Sequence, residues 1–270
     1  MTRVIVAGAA GRMGQRVCHM VRQQQGLELA AAFEAPGSAA IGRDLGEVAG
    51  LGALGIRIAG GLEEVIDTGD VLIDFTYHVA TMGFARQAAA KGLAMVIGTT
   101  GLAADQLAEL RTLAESGFAC VQSPNMAVGV NLLFKLVEKT AAVLGDAYDV
   151  EIVEAHHRMK KDAPSGTALK LAEMAAGALH RDLQDCGVYA RHGLIGARTD
   201  KEIGIQTVRA GDIVGEHTVY FAGAGERIEL THRAHSRDNF ARGAALAAAW
   251  VAGKPRGLYT MFDVLGLAGL

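Results

Sequence analysis

Short apolar runs alternate with helical periodicity through the first half of the chain. Val4–Ala7 is a β-branched run, followed by a glycine loop and a helical pattern from Arg12 to about Gln25. Leu27–Phe33 predicts a second strand, and residues 35–55, rich in Gly and Ala, predict a long loop with a short helix. Ile56–Ala59, Val71–Phe75, Met95–Ile97 and Phe118–Val121 predict further strands, the last three separated by helices over 78–91 and 103–116. Near-continuous apolar strands alternating with helices imply a parallel sheet covered on both faces. Around Asn125 the rhythm changes. A long helix over 127–144 leads to a strand, Tyr148–Ala155, a cation-rich stretch and a helix over 167–179. Ile203–Arg209, Glu216–Phe221 and Arg227–Arg233 read as antiparallel strands, with AGDIVG as the turn between the first two. An alanine-rich helix over 237–252 and a short tail follow.

Composition narrows the class. A chain of 270 residues, 50% apolar and 20% charged, fits a soluble globular protein of one large or two smaller domains. The net charge of −3 gives no general affinity for nucleic acid. No apolar run approaches the length of a membrane span. The start, MTRVIVAGAAG, reaches glycine sooner than the apolar region of a secretory signal allows. The three cysteines, Cys18, Cys120 and Cys186, are scattered and odd in number, which argues against a disulfide framework or structural zinc and fits a reducing cytoplasm.

Chemistry concentrates in a few loops. VIVAGAAGRMG places Gly8, Gly11 and Gly14 between a strand and a helix, the context of a dinucleotide fingerprint, although the spacing is G-x-x-G-x-x-G, with Ala10 inside it. Glycines there let the backbone approach a pyrophosphate, and free amides with the helix dipole stabilise its charge. Glu34, at the end of the second strand, is placed to accept hydrogen bonds from a ribose. IGTTG (97–101) and QSPNM (122–126) also follow strands and line the same crevice. Asp74 sits at a strand end too, where capping a helix is as good a reading as touching ligand. In EAHHRMKKDAPSGTA (154–168), His156 and His157 end a strand and point to opposite sides. Lys160 lies in a turn that can fold back, and Pro164-Ser165-Gly166-Thr167 looks like a helix start with amides suited to an anion. The cations and that helix end would hold a substrate bearing carboxylates, with histidine and lysine supplying protons. A solvated basic loop is the plain alternative. Metal binding by the adjacent histidines lacks a third ligand.

VAGAAGRMG, IDFT, VIGTTG, EAHHRMKKDAPSGTA, RAGDIVGEH and the HRAHSR segment together resemble bacterial dihydrodipicolinate reductase, nearly end to end. The resemblance implies an α/β fold: a Rossmann-type doubly wound parallel sheet over 1–126, an inserted α+β substrate and tetramerisation domain over 127–236, and a return of 237–270 to the first domain. It also implies reduction of a cyclic imine dicarboxylate by NADH or NADPH, with loss of water, for diaminopimelate and lysine synthesis in the cytoplasm by a homotetramer, without metal, membrane or nucleic acid. Gly8, Ala9, Ala10, Gly11, Arg12 and Met13 would wrap the pyrophosphate and Glu34 would bind the ribose. Gly98, Thr99, Thr100, Ser123, Pro124, Asn125 and Met126 would lie on the nicotinamide side. His156 would donate or accept a proton, Lys160 would donate one, and His157, Gly166 and Thr167 would bind the carboxylates. One departure stands out: members that use NADPH well commonly carry arginine after the ribose-binding acid, where this chain has Ala35. Arg12 is then the remaining partner for a 2′-phosphate, and NADH is expected to serve at least as well. Two rivals are another amino-acid dehydrogenase of the same plan, such as one acting on aspartate, and a nucleotide-sensing regulator. The regulator would need a DNA-reading basic helix or an exposed partner surface, and would have no use for the His156–Lys160 cluster.

Overall fold

The parallel sheet expected from the first half of the chain is present, with seven strands. The computed structural model describes residues 1–270, the side chain of Ala268 excepted. In chain order the helices and strands are β1 (Thr2–Ala7), α1 (Arg12–Gln23), β2 (Leu27–Phe33), α2 (Leu45–Ala49), β3 (Ile58–Ala59), β4 (Val71–Asp74), α3 (His78–Lys91), β5 (Ala94–Ile97), α4 (Ala104–Ser116) and β6 (Ala119–Gln122). Then come α5 (Val128–Leu144), β7 (Asp149–His156), α6 (Gly166–Ala178), α7 (Leu183–Cys186), β8 (Gly187–Val188), β9 (Ile203–Arg209), β10 (Gly215–Gly223) and β11 (Glu226–Ala234). Last are α8 (Asp238–Val251), β12 (Gly257–Tyr259) and α9 (Met261–Val264). The chain divides into two units, Met1–Val128 with Arg237–Ala268, and Gly129–Ser236 with Gly269–Leu270.

In the first unit the strands run in the order β12-β6-β5-β4-β1-β2-β3, all parallel. Val4–Val6, Val71–Ile73 and Met95–Ile97 are wholly buried or nearly so, as strands covered on both faces must be. One face packs against Val17, Cys18 and Val21 of α1 and Ala241, Ala244 and Ala248 of α8. The other packs against Met82 and Ala85 of α3 and Leu110 and Ala114 of α4. The alanines of α8 let it approach closely: a Cβ on Gly243 would stand 1.7 Å from the Met126 carbonyl. Strand order reverses between β1 and β4, so a crevice opens beyond the carboxyl ends of those strands. The tail, which alternation alone left structureless, adds β12 beside β6.

In the second unit a five-stranded mixed sheet runs β11-β10-β7-β9-β8. The strands Ile203–Arg209 and those following it are present, but AGDIVG is not a hairpin turn. β7 lies between β9 and β10, parallel to the first and antiparallel to the second. Alternation reveals a strand and its faces but not its neighbour, and here a more distant strand takes the place of the sequential one. The connection instead crosses the end of β7, where the Ala210 amide donates to the His156 carbonyl (2.9 Å) and the Arg158 amide to the Gly211 carbonyl (3.1 Å). Helix α6, with Leu171, Ala172 and Ala175 buried, packs on β7, β9 and β10.

Candidate active site

The loops after β1, β2, β5 and β6 all lie at the carboxyl ends of parallel strands. Gly8 adopts φ +60°, a conformation that favours glycine, and its amide donates to the Phe33 carbonyl (2.9 Å). A Cβ on Gly14 would stand 2.1 Å from the Gly8 carbonyl, so only glycine lets α1 start this close to the loop. Gly11 caps α1 without any side-chain hydrogen bond, which leaves the first helical amides available to an anion. Glu34 Oε1 accepts from the Ala10 amide (2.7 Å) and Oε2 from the Ala35 amide at 3.3 Å, so the acid sits directly on the glycine loop. Arg12 is exposed and Met13 half-buried beside it.

The structure brings the other loops to the same edge of the sheet. Gly98 lies flat against Phe75, where a Cβ would stand 2.2 Å from the ring. Its amide donates to the Asp74 carbonyl (2.8 Å). Thr99 is buried, and Thr100 is exposed. In the following loop Ser123 is buried, Pro124 exposed, and Asn125 accepts from the Ala127 amide (2.9 Å). The side chains of Ala9 and Met126 belong to the core, so those positions offer a ligand only backbone. Asp74 is buried and accepts from the Thr76 hydroxyl (2.6 Å), the Thr76 amide (2.8 Å) and the Thr81 hydroxyl (2.5 Å), and so braces the start of α3.

In the second unit, His156 ends β7, and its Nδ1 lies 2.5 Å from Oε2 of Glu154. Glu154 is wholly buried. Arg209, opposite His156 on β9, reaches both its carboxylate oxygens at 2.8 Å. The Ser165 amide donates to Oε1 at 2.9 Å and the Thr207 hydroxyl at 3.3 Å. Burial alone would raise the Glu154 carboxyl; the hydrogen bonds from His156, Arg209 and Ser165 outweigh it and hold it at about 2. Ser165 is also the N-cap of α6, its hydroxyl accepting from the Ala168 amide (3.1 Å). The same hydroxyl lies 3.0 Å from Nε2 of His217. Burial above all, with the charge His156 can carry, pushes His217 down to about 3, so that ring stays neutral.

Lys160 extends from a turn whose amide donates to the His157 carbonyl (3.1 Å), and its ammonium pairs with the exposed Asp162 at 2.8 Å. Gly166 is exposed and Thr167 nearly buried in the first turn of α6; a Cβ on Gly166 would meet nothing within 4 Å. His157 is half-buried. Glu154 joins this start of α6 to His156 through the Ser165 amide. Reading from the sequence passed over Glu154, Arg209, Ser165 and His217 as site residues. Glu154 had a signal, since the alternation that parts His156 from His157 also puts Glu154 on the His156 side. Arg209 and His217 reach the cluster only through strand pairing.

The family models for the N-terminus and the C-terminus of dihydrodipicolinate reductase match residues 2–126 and 129–265. The 4-hydroxy-tetrahydrodipicolinate reductase of Desulfotalea psychrophila is 66% identical over 100% of both chains. That of Syntrophobacter fumaroxidans is 58% identical over 99% of this chain and 100% of its own. Among solved structures, dipicolinate-bound dihydrodipicolinate reductase from Paenisporosarcina sp. TG-14 superposes with a TM-score of 0.76 at 30% identity, covering 97% of this chain and 98% of that one.

Proposed function

This chain belongs to the dihydrodipicolinate reductase family, and on that premise we propose how its residues divide the reaction. The reaction is reduction of 4-hydroxy-tetrahydrodipicolinate to tetrahydrodipicolinate by NAD(P)H, with loss of water, for diaminopimelate and lysine synthesis. The close approach at Gly14, the left-handed Gly8 and the uncapped start of α1 fit a pyrophosphate. Gly8, Ala9, Ala10, Gly11, Arg12 and Met13 hold it, Glu34 takes the ribose, and Gly98–Thr100 with Ser123–Met126 flank the nicotinamide. The bound nucleotide supplies the hydride.

The second unit neutralises and orients the dianionic substrate. His157, Gly166 and Thr167 bind its carboxylates, and His156 and Lys160 move protons. Fixed cations and amides lower the barrier because they need no rearrangement as charge shifts. The Lys160–Asp162 pair is a weak one, Asp162 being 61% exposed, so a substrate carboxylate can displace Asp162. The observation that carries the reading is that one buried carboxylate joins His156 to the open start of α6, with Lys160 in the turn between them in sequence. An assay coupled to dihydrodipicolinate synthase, following nicotinamide absorbance with each reduced cofactor, tests it.

Gly166→Ala separates ligand from fold. A methyl group there meets no protein atom within 4 Å, and alanine is the better helix former, so thermal stability should hold or rise. The amide donor is kept, but the methyl group stands in the space a bound carboxylate would take, so KM should rise about tenfold, the worth of one displaced charge-assisted hydrogen bond. An unchanged KM would place the carboxylate elsewhere.

NADH should be used at least as well as NADPH. Glu34 repels a 2′-phosphate and Ala35 offers no compensating charge. One such contact is worth roughly 1.5–3 kcal/mol, about ten- to a hundredfold in affinity, so Ala35→Arg should shift preference toward NADPH. Strong NADPH preference in the wild type would show that Arg12 or another cation dominates.

The protein works as a homotetramer joined through the second unit. Supporting this, the edge strand β11 is largely exposed, and the segment before β9 presents Leu194 fully exposed and Ile195 54% exposed. That segment is anchored by ion pairs from Arg191 to Glu151 and Glu202, and from Arg198 to Asp149 and Glu151. Unpaired edges and apolar tips need cover. Light scattering should find a tetramer at micromolar concentration; a stable monomer would rule it out.

A further inference from the structure

Strand pairing sets Thr207 of β9, Glu154 of β7, His217 of β10 and His232 of β11 in one row, so their side chains share one face of the sheet. In the same register, along the strands from that row, His156 stands opposite Arg209. Glu154 is the hub. It is wholly buried, yet both of its oxygens are saturated with donors: Arg209 twice, the Ser165 amide, the Thr207 hydroxyl and Nδ1 of His156. A buried ion pair adds little to stability over an apolar replacement, so such a clamp calls for another reason.

From this geometry we infer that Glu154, held by Arg209 and the Ser165 amide, is a positioning residue that keeps the proton of neutral His156 on Nδ1 and so turns Nε2 toward proton exchange with the substrate. An ionised carboxylate can only accept, so the proton shared at 2.5 Å belongs to Nδ1. In the neutral ring the lone pair is then on Nε2. The space beside that atom is kept by a glycine: a Cβ on Gly215 would stand 3.1 Å from it. The ring is steadied by His217, whose centroid lies 5.2 Å away at an interplanar angle of 74°. His217 is neutral, and brings no competing charge. The peptide bonds of the β9–β10 connection fix the backbone of the same residue through the His156 carbonyl. Glu154 therefore acts through His156 and touches no reacting atom.

The inference rests on the proton-exchange role proposed for His156, and the tests separate the two. In the full-length wild type labelled with 15N-histidine, NMR should find neutral His156 protonated on Nδ1; a proton on Nε2 overturns the inference, with no variant needed. Glu154→Gln presents an amide that can donate to Nδ1 and so favours the other tautomer. It should lower kcat about tenfold to a hundredfold, the usual cost of losing a partner that orients a working ligand or base, while KM and NADH affinity change less than about twofold. Glu154→Asp, which keeps the charge, should recover part of the loss. In a His156→Ala background the same Glu154→Gln change should cost less than about twofold, because its route to the substrate is gone. Equal losses in both backgrounds overturn the positioning role and leave Glu154 as scaffold. Near-normal turnover of His156→Ala alone overturns the proton-exchange role, and the inference with it.

Discussion

Lys160→Ala and His156→Ala should each lower turnover by about a hundred- to ten-thousandfold, the usual cost of losing a positioned proton donor or acceptor. NADH affinity, measured by fluorescence titration, should stay near wild type in both, because both residues belong to the second unit and the glycine loop to the first. His157→Ala should behave differently. A group that holds a carboxylate equally in ground and transition states raises KM and leaves kcat nearly alone. The contrast between the two histidines is the sharper test, since they are chemically alike and adjacent in sequence, while only His156 lies within β7 and against Glu154. If His156→Ala and Lys160→Ala keep near-normal turnover, the cluster is an anion clamp only, and the proton comes from water.

Arg209→Met should cost about 3 kcal/mol of stability, because it strands a fully buried carboxylate without its main cation. For a chain of this size that corresponds to a fall of roughly 6–12 °C in Tm. The loss should depend on pH. Glu154 sits at about 2, below its ordinary 4.5, so its contribution is complete above about 4.5 and is lost as pH falls toward 2. His217, held at about 3 against an ordinary 6.5, acts in the same direction: the unfolded chain takes up a proton below 6.5 that the folded ring refuses until about 3. The wild type should therefore lose stability steadily on acidification from 6.5. In Arg209→Met the Glu154 carboxyl rises toward its ordinary value, so folded and unfolded chains take up that proton together and the carboxylate part of the acid loss shrinks or vanishes. Thermal unfolding followed by circular dichroism across pH 3–8 checks both statements. An unchanged Tm and profile would mean that His156 and the Ser165 amide suffice for Glu154.

The first unit was legible because its strands are buried on both faces and announce themselves as apolar runs. Helix α3 spans the predicted residues, and β2 does as well. Glu34 and the glycines could be placed by local spacing alone, since β1, its loop and α1 are contiguous. The second unit was legible as strands and helices but not as a sheet. Nothing in Ile203–Arg209 says that its partner is β7, more than forty residues back, rather than β10 beyond the next turn. Arg209 and His217 were hidden for that reason, whereas Ser165 and Glu154 lay inside the stretch already singled out. Neither looked chemical. A serine before a helix reads as a cap, which it is, and a glutamate in a strand reads as surface until pairing shows it buried.

The first unit's break in sequence has a consequence for how the protein is made. Residues up to Val128 leave the ribosome long before Arg237–Ala268, yet α8 and Met261 from that last stretch share with α1 the covering of one face of the parallel sheet. At roughly 5–20 residues per second, translation leaves the α8 part of that apolar face wet for many seconds, while Gly129–Ser236 emerges and is free to fold. A nascent chain stalled before Arg237 thus exposes apolar surface that invites a chaperone, and α8 is the helix whose arrival covers it.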